Sequence, residues 1–236
     1  TRPAVMSDIH RPMLTISFDD APSSSARNGA AILKSHGVTG TYYISAGLMG
    51  QDSHLGAYTS AEEIRALHAA GFEIACHTYR HLDGGRAASA EIEADIEENQ
   101  IVLRNLGIPL PRTFAYPYGD VSPQAKAVVD KRYLASRALH HGLITAGSDL
   151  NQAPGVGIEG RCGEQTAMEW LERAHATPHS WLVLYTHDVR KNPSDWGCTP
   201  EVLNRIVARG GELGCDLGTF ADGAHRALLA PGSRTA

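Results

Sequence analysis

The sequence predicts an α/β fold built on parallel strands, and three observations carry the prediction. Seven strand-like segments alternate with segments of helical period, the strand coming first each time. The helical segments are long enough to serve as right-handed crossovers between parallel strands, so a barrel or a doubly wound sheet follows. The 236 residues show no shift of composition, no Pro/Ser-rich linker and no repeat. A chain of this length buries roughly 70% of the surface it exposes when extended, enough for one sizeable core, and one domain over 1–236 is expected.

Residues 13–18 (MLTISF) read as the first strand, and 24–36 as a helix that Gly37 ends. A second strand covers 39–45. Ser60 opens the next helix with Glu63 three residues on, the spacing of a reciprocal cap, and Gly71 closes it. The third strand is 72–76. A longer helix starts at Ser89, where Ile92, Ile96, Leu103 and Leu106 share one face and Glu91, Asp95, Glu97 and Glu98 are expected on a solvated outer face. Residues 113–116 form the fourth strand, and Ser122-Pro123 has the cap and first-turn chemistry of a helix reaching about Tyr133. Strand five is 134–138. From 140 to 163 the chain is rich in Gly and has no firm period, which reads as a long loop with room for a short strand at 143–146. A helix over 164–175, a strand over 180–185, a helix from Thr199-Pro200 to Arg209, a short strand over 216–220 and a helix over 221–229 complete the pattern.

Composition excludes several function classes. At 42% hydrophobic and 20% charged residues the chain is an ordinary globular one, and its net charge of −5 comes without any basic block that could neutralise a phosphate backbone, so nucleic acid is not an expected partner. The longest unbroken apolar run, Trp181 to Tyr185, falls far short of the ~20 residues that cross a bilayer, and no membrane partner is expected. No leader pattern stands at the N-terminus, which implies a cytoplasmic protein if the chain is complete and an exported one if a leader has been removed. Four cysteines, Cys76, Cys162, Cys198 and Cys215, lack C-x-x-C spacing; buried free thiols are expected, with Cys198 and Cys215 the pair that could join.

In parallel α/β folds reactive groups collect where the strands end. Asp19 and Asp20 follow the first strand, His77 and His81 the third, Pro117 and Tyr118 the fourth, and His187 and Asp188 the sixth. Two imidazoles three residues apart plus a carboxylate supply the three ligands of an open zinc site, and a second carboxylate beside them could act as base. Each feature alone has a plainer reading. Asp19-Asp20 before Ala21-Pro22-Ser23 fits a turn and helix cap, Tyr116-Pro117-Tyr118-Gly119 fits a turn, and His187 fits a satisfied core histidine. Their meeting on one rim favours chemistry. Gly155-Val156-Gly157-Ile158-Glu159-Gly160 spells a dinucleotide fingerprint, but no strand precedes it in this reading and no helix opens at it. No G-x-S-x-G occurs, and Cys76, alternating with His77, points to the other face.

Ser17-Phe18-Asp19-Asp20, His77-Thr78-Tyr79-Arg80-His81, Phe114-Ala115-Tyr116-Pro117-Tyr118-Gly119 and Val183-Leu184-Tyr185-Thr186-His187 resemble, in order, successive motifs of the polysaccharide deacetylases, the NodB-homology domain of carbohydrate esterase family 4, over about residues 13–190. The resemblance implies a distorted single-domain (β/α)7 barrel of parallel strands, one divalent metal held by an Asp and two His, and hydrolysis of acetyl groups on glycans. It further implies Asp20, His77 and His81 as metal ligands, Asp19 as base, the Tyr118 backbone N–H as oxyanion donor and His187 as acid. Three departures stand out. Ala115 occupies the place of the family's third-motif Arg, leaving Arg112 or Arg137 to substitute. The fourth motif is not recognisable, with Asp149 a candidate for it. Tyr185 stands where a Leu commonly lines the acetyl pocket beside Pro117-Tyr118.

The leading expectation is a metal-dependent hydrolase that removes acetyl groups from N-acetylated sugars of a chitin-, peptidoglycan- or poly-N-acetylglucosamine-like glycan. Zinc is the first candidate metal, with cobalt, nickel and manganese as alternatives, and the protein is expected to be a monomer or small homo-oligomer. The alternatives are O-acetyl esterase action on a xylan-type polysaccharide and a non-catalytic glycan-binding barrel; retention of Asp19 and His187 argues against the last, because binding needs neither base nor acid.

Overall fold

Strand alternation turns into a curled parallel sheet in the computed structural model, which describes residues 1–229. Along the chain run β1 (Met13–Phe18), α1 (Ala30–Ser35), β2 (Thr41–Ile44), β3 (Asp52–Ser53), β4 (Gly56–Ala57), α2 (Ala61–Ala69) and β5 (Glu73–Cys76). Then come α3 (Ser89–Asn105), β6 (Thr113–Ala115), α4 (Pro123–Asp130), β7 (Ala135–Arg137), β8 (Val156–Gly157) and α5 (Gly163–Ala176). The last are β9 (Trp181–Thr186), α6 (Pro200–Glu212), β10 (Asp216–Leu217) and α7 (Phe220–Leu228).

The strand order is β7-β6-β5-β2-β1-β9-β8, with β10 also pairing β1, and β1 and β9 run in register from Met13↔Trp181 to Phe18↔Thr186. Its two edges meet. Ala153 donates to Ser136 O (2.8 Å), its carbonyl accepts from Ala138 N–H (2.9 Å), and the bridge Arg137↔Ala153 leads straight into β8. The fold is therefore a distorted (β/α)7 barrel.

The two-residue side-chain period sorts the core. Leu14, Ile16 and Phe18 of β1, Tyr42 and Ile44 of β2, and Leu182 and Leu184 of β9 pack outward with Leu33, Ile64, Leu171 and Leu203 of the surrounding helices. The alternate positions face inward: Met13, Tyr43, Ala75, Ala115, Ala135 and Val183 form an interior cluster, and Phe220, Ala224 and Ala227 of α7 join it. Three alanines on adjacent strands leave the upper barrel roomy. Gly223 lets α7 come this close, since a Cβ there would lie 2.3 Å from the Trp181 ring.

The seven expected strands are all present, and the differences are local. The helix expected over 24–36 opens with π-helical winding over Ser25–Gly29 before α1. The strand expected at 143–146 is a single antiparallel bridge, Ile144↔Trp181, and the Gly-rich stretch after it carries β8, because this segment is what seals the sheet edge. The last strand stops at Leu217 and Phe220 begins α7, because Thr219 and Asp222 form a reciprocal cap. Asp95 is not solvated: it lies fully buried on α3. All four cysteines are free, so Cys198 and Cys215 are unpaired, and Cys162 is exposed at the turn before α5. Among the described residues no helix is long and apolar enough to cross a membrane.

Buried Asn99 of α3 ties the helix to the upper end of β2: Oδ1 accepts from Ala46 N–H at 2.8 Å and Nδ2 donates to Ile44 O at 3.0 Å. Replacing Asn99 by Ala strands the Ala46 N–H away from water, worth about 1–3 kcal/mol, and takes from Ile44 O one of its two donors, leaving it His77 N–H at 3.1 Å. Urea unfolding should show Asn99→Ala less stable by about 2–4 kcal/mol, whereas an exposed polar-to-Ala change on the same helix, such as Glu98→Ala, should stay within about 0.5 kcal/mol.

Candidate active site

Inward parity continues past the strand ends and populates the barrel mouth. Counting in twos from Met13 gives Asp19, from Ala75 gives His77, from Ala135 gives Arg137, from Val183 gives Tyr185 and then His187, and from Gly157 gives Glu159. Asp19, Asp20, His77, His81, Glu159, Tyr185 and His187 all line one cleft of about 510 Å³.

Asp20, His77 and His81 converge, their nearest oxygen and nitrogen atoms lying within 4.8 Å of one another. The backbone bends sharply to achieve this: Asp20 and Ala21 have φ of +57° and +44°, Thr78 and His81 of +62° and +57°. Such left-handed conformations are costly for residues with a Cβ and persist only where the surroundings hold them. Asp95 supplies that hold for the His77–His81 turn, its carboxylate accepting from Tyr79 N–H (2.6 Å), Arg80 N–H (3.0 Å) and Arg80 Nε (2.7 Å). His77 Nδ1 bonds to Ala115 O at 2.8 Å; a carbonyl can only accept, so Nδ1 carries the proton and Nε2 turns its lone pair to the cleft, 3.6 Å from Asp20 Oδ1. Burial, and next the charge of His81, lower the His77 pKa to about 4, so the ring is neutral. His81 Nε2 lies 3.3 Å from the same Asp20 Oδ1, a buried oxygen with no hydrogen-bond partner. A carboxylate oxygen facing two imidazole nitrogens with nothing between them is a donor set that fits a divalent cation.

Asp19 donates its amide to Thr186 O (3.0 Å), and its carboxylate is held by Arg137 Nη2. The guanidinium is fully buried between the rings of Tyr43 and Tyr185, 5.0 and 4.8 Å from their centroids. Burial pushes the Asp19 pKa up, but the charges of Arg137, His77 and His187 outweigh it and the carboxyl sits below its ordinary value. Arg137 thus occupies the position sought for the third-motif Arg. Arg112 does not: it lies with Glu73 and Thr219 around a separate hollow.

His187 Nδ1 faces Glu159 Oε1 at 3.4 Å and Trp196 O at 3.2 Å, and Nε2 lies 3.9 Å from Asp20 Oδ2. Burial opposes its protonation, yet the bond to Glu159 and the charges of Asp19 and Asp20 raise its pKa. Glu159, not Asp149, is the carboxylate that the structure puts beside the His187 ring. Asp149 is engaged with Arg2 N–H (2.8 Å), Asn151 N–H (3.1 Å) and Lys126 Nζ (2.5 Å), none of which lines the cleft. Inward parity from β8 was the signal for Glu159, hidden because β8 is two residues long.

Pro117 opens the tight turn 117–119, in which Tyr118 has φ +59° and a 63% exposed ring standing edge-on to His81 at 4.4 Å. Tyr185 is buried against Gly155 and Gly157, where a Cβ would lie 3.3 and 3.1 Å from its ring and hydroxyl. The β3–β4 hairpin, unforeseen in the sequence, contributes His54 and Leu55 to the cleft wall, with Tyr58 just after it, and Trp196 stands beside them.

A family model described as polysaccharide deacetylase matches residues 7–134, which carry Asp19, Asp20, His77, His81 and Tyr118. The chain is 25% identical over 201 residues to a bifunctional xylanase/deacetylase of Pseudobutyrivibrio xylanivorans, a match covering 85% of this chain and 29% of that protein, so it spans under a third of that relative's length. Among solved structures, the Xyl-CE4 domain of a multidomain xylanase from the hindgut metagenome of Trinervitermes trinervoides superposes with a TM-score of 0.66 at 19% identity, covering 95% of each chain. The chitin deacetylase of the fungal pathogen Colletotrichum lindemuthianum gives 0.66 at 15% identity, covering 94% of this chain and 91% of that one. At these identities the likeness is one of fold.

Removing Arg137 leaves a desolvated carboxylate without its counter-charge. Arg137→Met should cost about 3–5 kcal/mol in chemical denaturation at neutral pH, and adding Asp19→Asn should restore part of it, since a carboxamide needs no cation. Because the folded pKa of Asp19 is lowered, its contribution is full above the ordinary value of 3.8 and declines as pH falls through the folded value, so the gap between wild type and Arg137→Met should narrow in acid. A pH-independent gap would mean that Arg137 acts through packing alone.

Proposed function

Because the chain belongs to the polysaccharide deacetylase family, we propose that it hydrolyses the N-acetyl groups of a glycan, with one divalent cation, zinc in first place, held by Asp20, His77 and His81. The observation that carries this reading is the meeting, in one cleft, of a cation-ready trio, an Arg-held carboxylate and a Glu-held imidazole. A cation bound there supplies Lewis acidity, bringing the pKa of water toward neutrality and polarising the acetyl carbonyl. Asp19, kept ionised by Arg137, takes the proton as water oxygen bonds to the acetyl carbon. The Tyr118 N–H, at the left-handed turn, is offered to the developing oxyanion, an interaction worth about 3–4 kcal/mol in comparable sites. His187, with Glu159 on Nδ1, gives the proton from Nε2 to the nitrogen as the C–N bond breaks, yielding acetate and a free amine. Tyr185 closes the cleft on the side of the small acyl group.

A second reading, removal of O-acetyl groups from xylan, is favoured by the two relatives whose names join this fold to xylanases. It uses the same residues, and acetate release from chitooligosaccharides, peptidoglycan fragments and acetylated xylan, measured on zinc-loaded protein, decides between the two.

Elemental analysis after dialysis should find about one metal per chain in the wild type and much less in His77→Ala. Asp19→Asn should keep the metal while acetate release falls at least ~10²-fold; a variant that loses metal instead would make Asp19 a ligand.

His187 separates amide from ester chemistry. An amine cannot leave as an anion, whereas a phenolate leaves unaided, so His187→Ala should depress kcat/KM for an acetylated chitooligosaccharide ~10²–10⁴-fold and for an aryl acetate far less. Equal losses on both substrates at equal metal content would remove the proton-donor role.

A further inference from the structure

Two of the five large apolar side chains exposed among the described residues, Tyr118 and Trp196, stand on the walls of this cleft. Trp196 is 47% exposed, yet nothing around it is loose. Its carbonyl accepts from His187 N–H (3.1 Å) and from Thr186 Oγ1 (3.3 Å), and its amide donates to Ser194 Oγ (3.2 Å). Ser194 is fixed in turn by the buried Asp188, through Ser194 N–H at 2.9 Å and Ser194 Oγ at 2.5 Å. Asp188 also holds Arg190 Nε (2.7 Å), and Arg190 Nη2 reaches His54 O at 3.3 Å, so the hairpin is tied to the same loop. The His54 ring then abuts the indole edge-to-face at 5.2 Å and 76°. The fold thus spends a buried carboxylate, an arginine and a hairpin on presenting one indole to the cleft.

Its position says what it presents the indole to. Trp196 lines the same cleft as His187, whose backbone it grips through its carbonyl, and its ring rests on His54 at that wall; on the deacetylase reading a proton donated by His187 goes to the atom that joins the acetyl group to its sugar. The departing sugar lies on that side. Resting on the deacetylase reading, we propose that Trp196, braced by His54, is the platform for the pyranose ring that bears the acetyl group, and so a specificity-determining residue that selects uncharged sugars presenting an apolar C–H face. Aromatic rings supply large rigid contact area at small entropic cost, which is what a ring-shaped, weakly apolar ligand needs.

The test pairs catalysis with binding. Zinc-loaded wild type, Trp196→Ala and Trp196→Phe are assayed on acetylated chito- and xylooligosaccharides and on ethyl acetate, whose leaving group is too small to reach the indole; calorimetry with unacetylated xylohexaose reads binding independently of turnover. In Trp196→Ala the loss of kcat/KM, carried by KM, should be about tenfold greater for the oligosaccharides than for ethyl acetate, xylohexaose binding should weaken similarly, and Phe should recover most of both. Equal losses on the oligosaccharides and ethyl acetate, or unchanged xylohexaose binding, would overturn the platform while leaving the deacetylase reading intact. A wild type that binds xylohexaose through Trp196 but releases no acetate from any substrate would overturn the deacetylase reading and leave the platform standing.

Discussion

A carboxylate charge kept buried at the barrel mouth is the constraint on which the upper half of this molecule depends. Asp19 is buried, and an isolated carboxylate there would simply take up a proton. Arg137 prevents this from β7, several strands away from β1 in the sheet order, so the pair spans the opening rather than linking neighbours. That reach requires the sheet to curl until β7 faces β1, and the Ala153 bridge beside Arg137 is where the curl closes. It also requires room, which Ala75, Ala115 and Ala135 leave in the interior, and walls, which Tyr43 and Tyr185 provide as flat rings on a flat cation. A lysine could not fill that slot, since an ammonium has neither the planar stacking surface nor the fork of donors.

Strain is concentrated around the same pair. Of the seven non-glycine residues with left-handed backbone among the described residues, five are Asp20, Ala21, Thr78, His81 and Tyr118. Each costs of order 1–3 kcal/mol and needs surroundings that fix it. The fixing groups lie one layer down: Asp95 on the amides of Tyr79 and Arg80, Thr78 Oγ1 on Leu82 N–H, Ser45 Oγ on His77 O, and Asn99 at the end of β2. Helix α3 therefore does more than cover the sheet. Two of its polar residues, a turn apart, set the shape of two loops at the rim.

How much of this was legible in the sequence follows from the length of each signal. Strands of four to six residues with regular alternation, such as β1, β2 and β9, announce themselves, and with them the rim residues that follow. The two-residue strands β3, β4 and β8 lie in stretches rich in Gly and polar residues with no period to detect, and with them His54 and Glu159 are hidden, whereas the equally short β10 shows because it follows a well-marked helix. The motif alone offers Arg112 and Arg137 as equal substitutes, whereas inward parity from Ala135 selects Arg137. Asp95 was misread because a charge within an acidic helical run ordinarily faces water; only the unpaired amides of the turn below it, invisible in sequence, make burial favourable. Asp149 has cap chemistry that sequence shows equally well, and cap chemistry is what it performs.

Two histidines of the same mouth show how partner choice divides labour between identical side chains. His77 is buried and His187 largely so, and burial disfavours the charged form of each. Their Nδ1 atoms meet different partners. His77 faces the neutral carbonyl of Ala115, so burial wins and the ring stays neutral, with its free lone pair toward Asp20. His187 Nδ1 faces the carboxylate of Glu159 as well as the Trp196 carbonyl, and with Asp19 and Asp20 near its other side burial loses and the pKa rises above its ordinary value. The two environments push apart two groups that start from one ordinary pKa, and in the proposed reaction this suits His77 to the lone pair of a ligand and His187 to the proton of a donor. In the proposed deacetylase reaction Glu159 would act without touching substrate, entirely through the ring beside it.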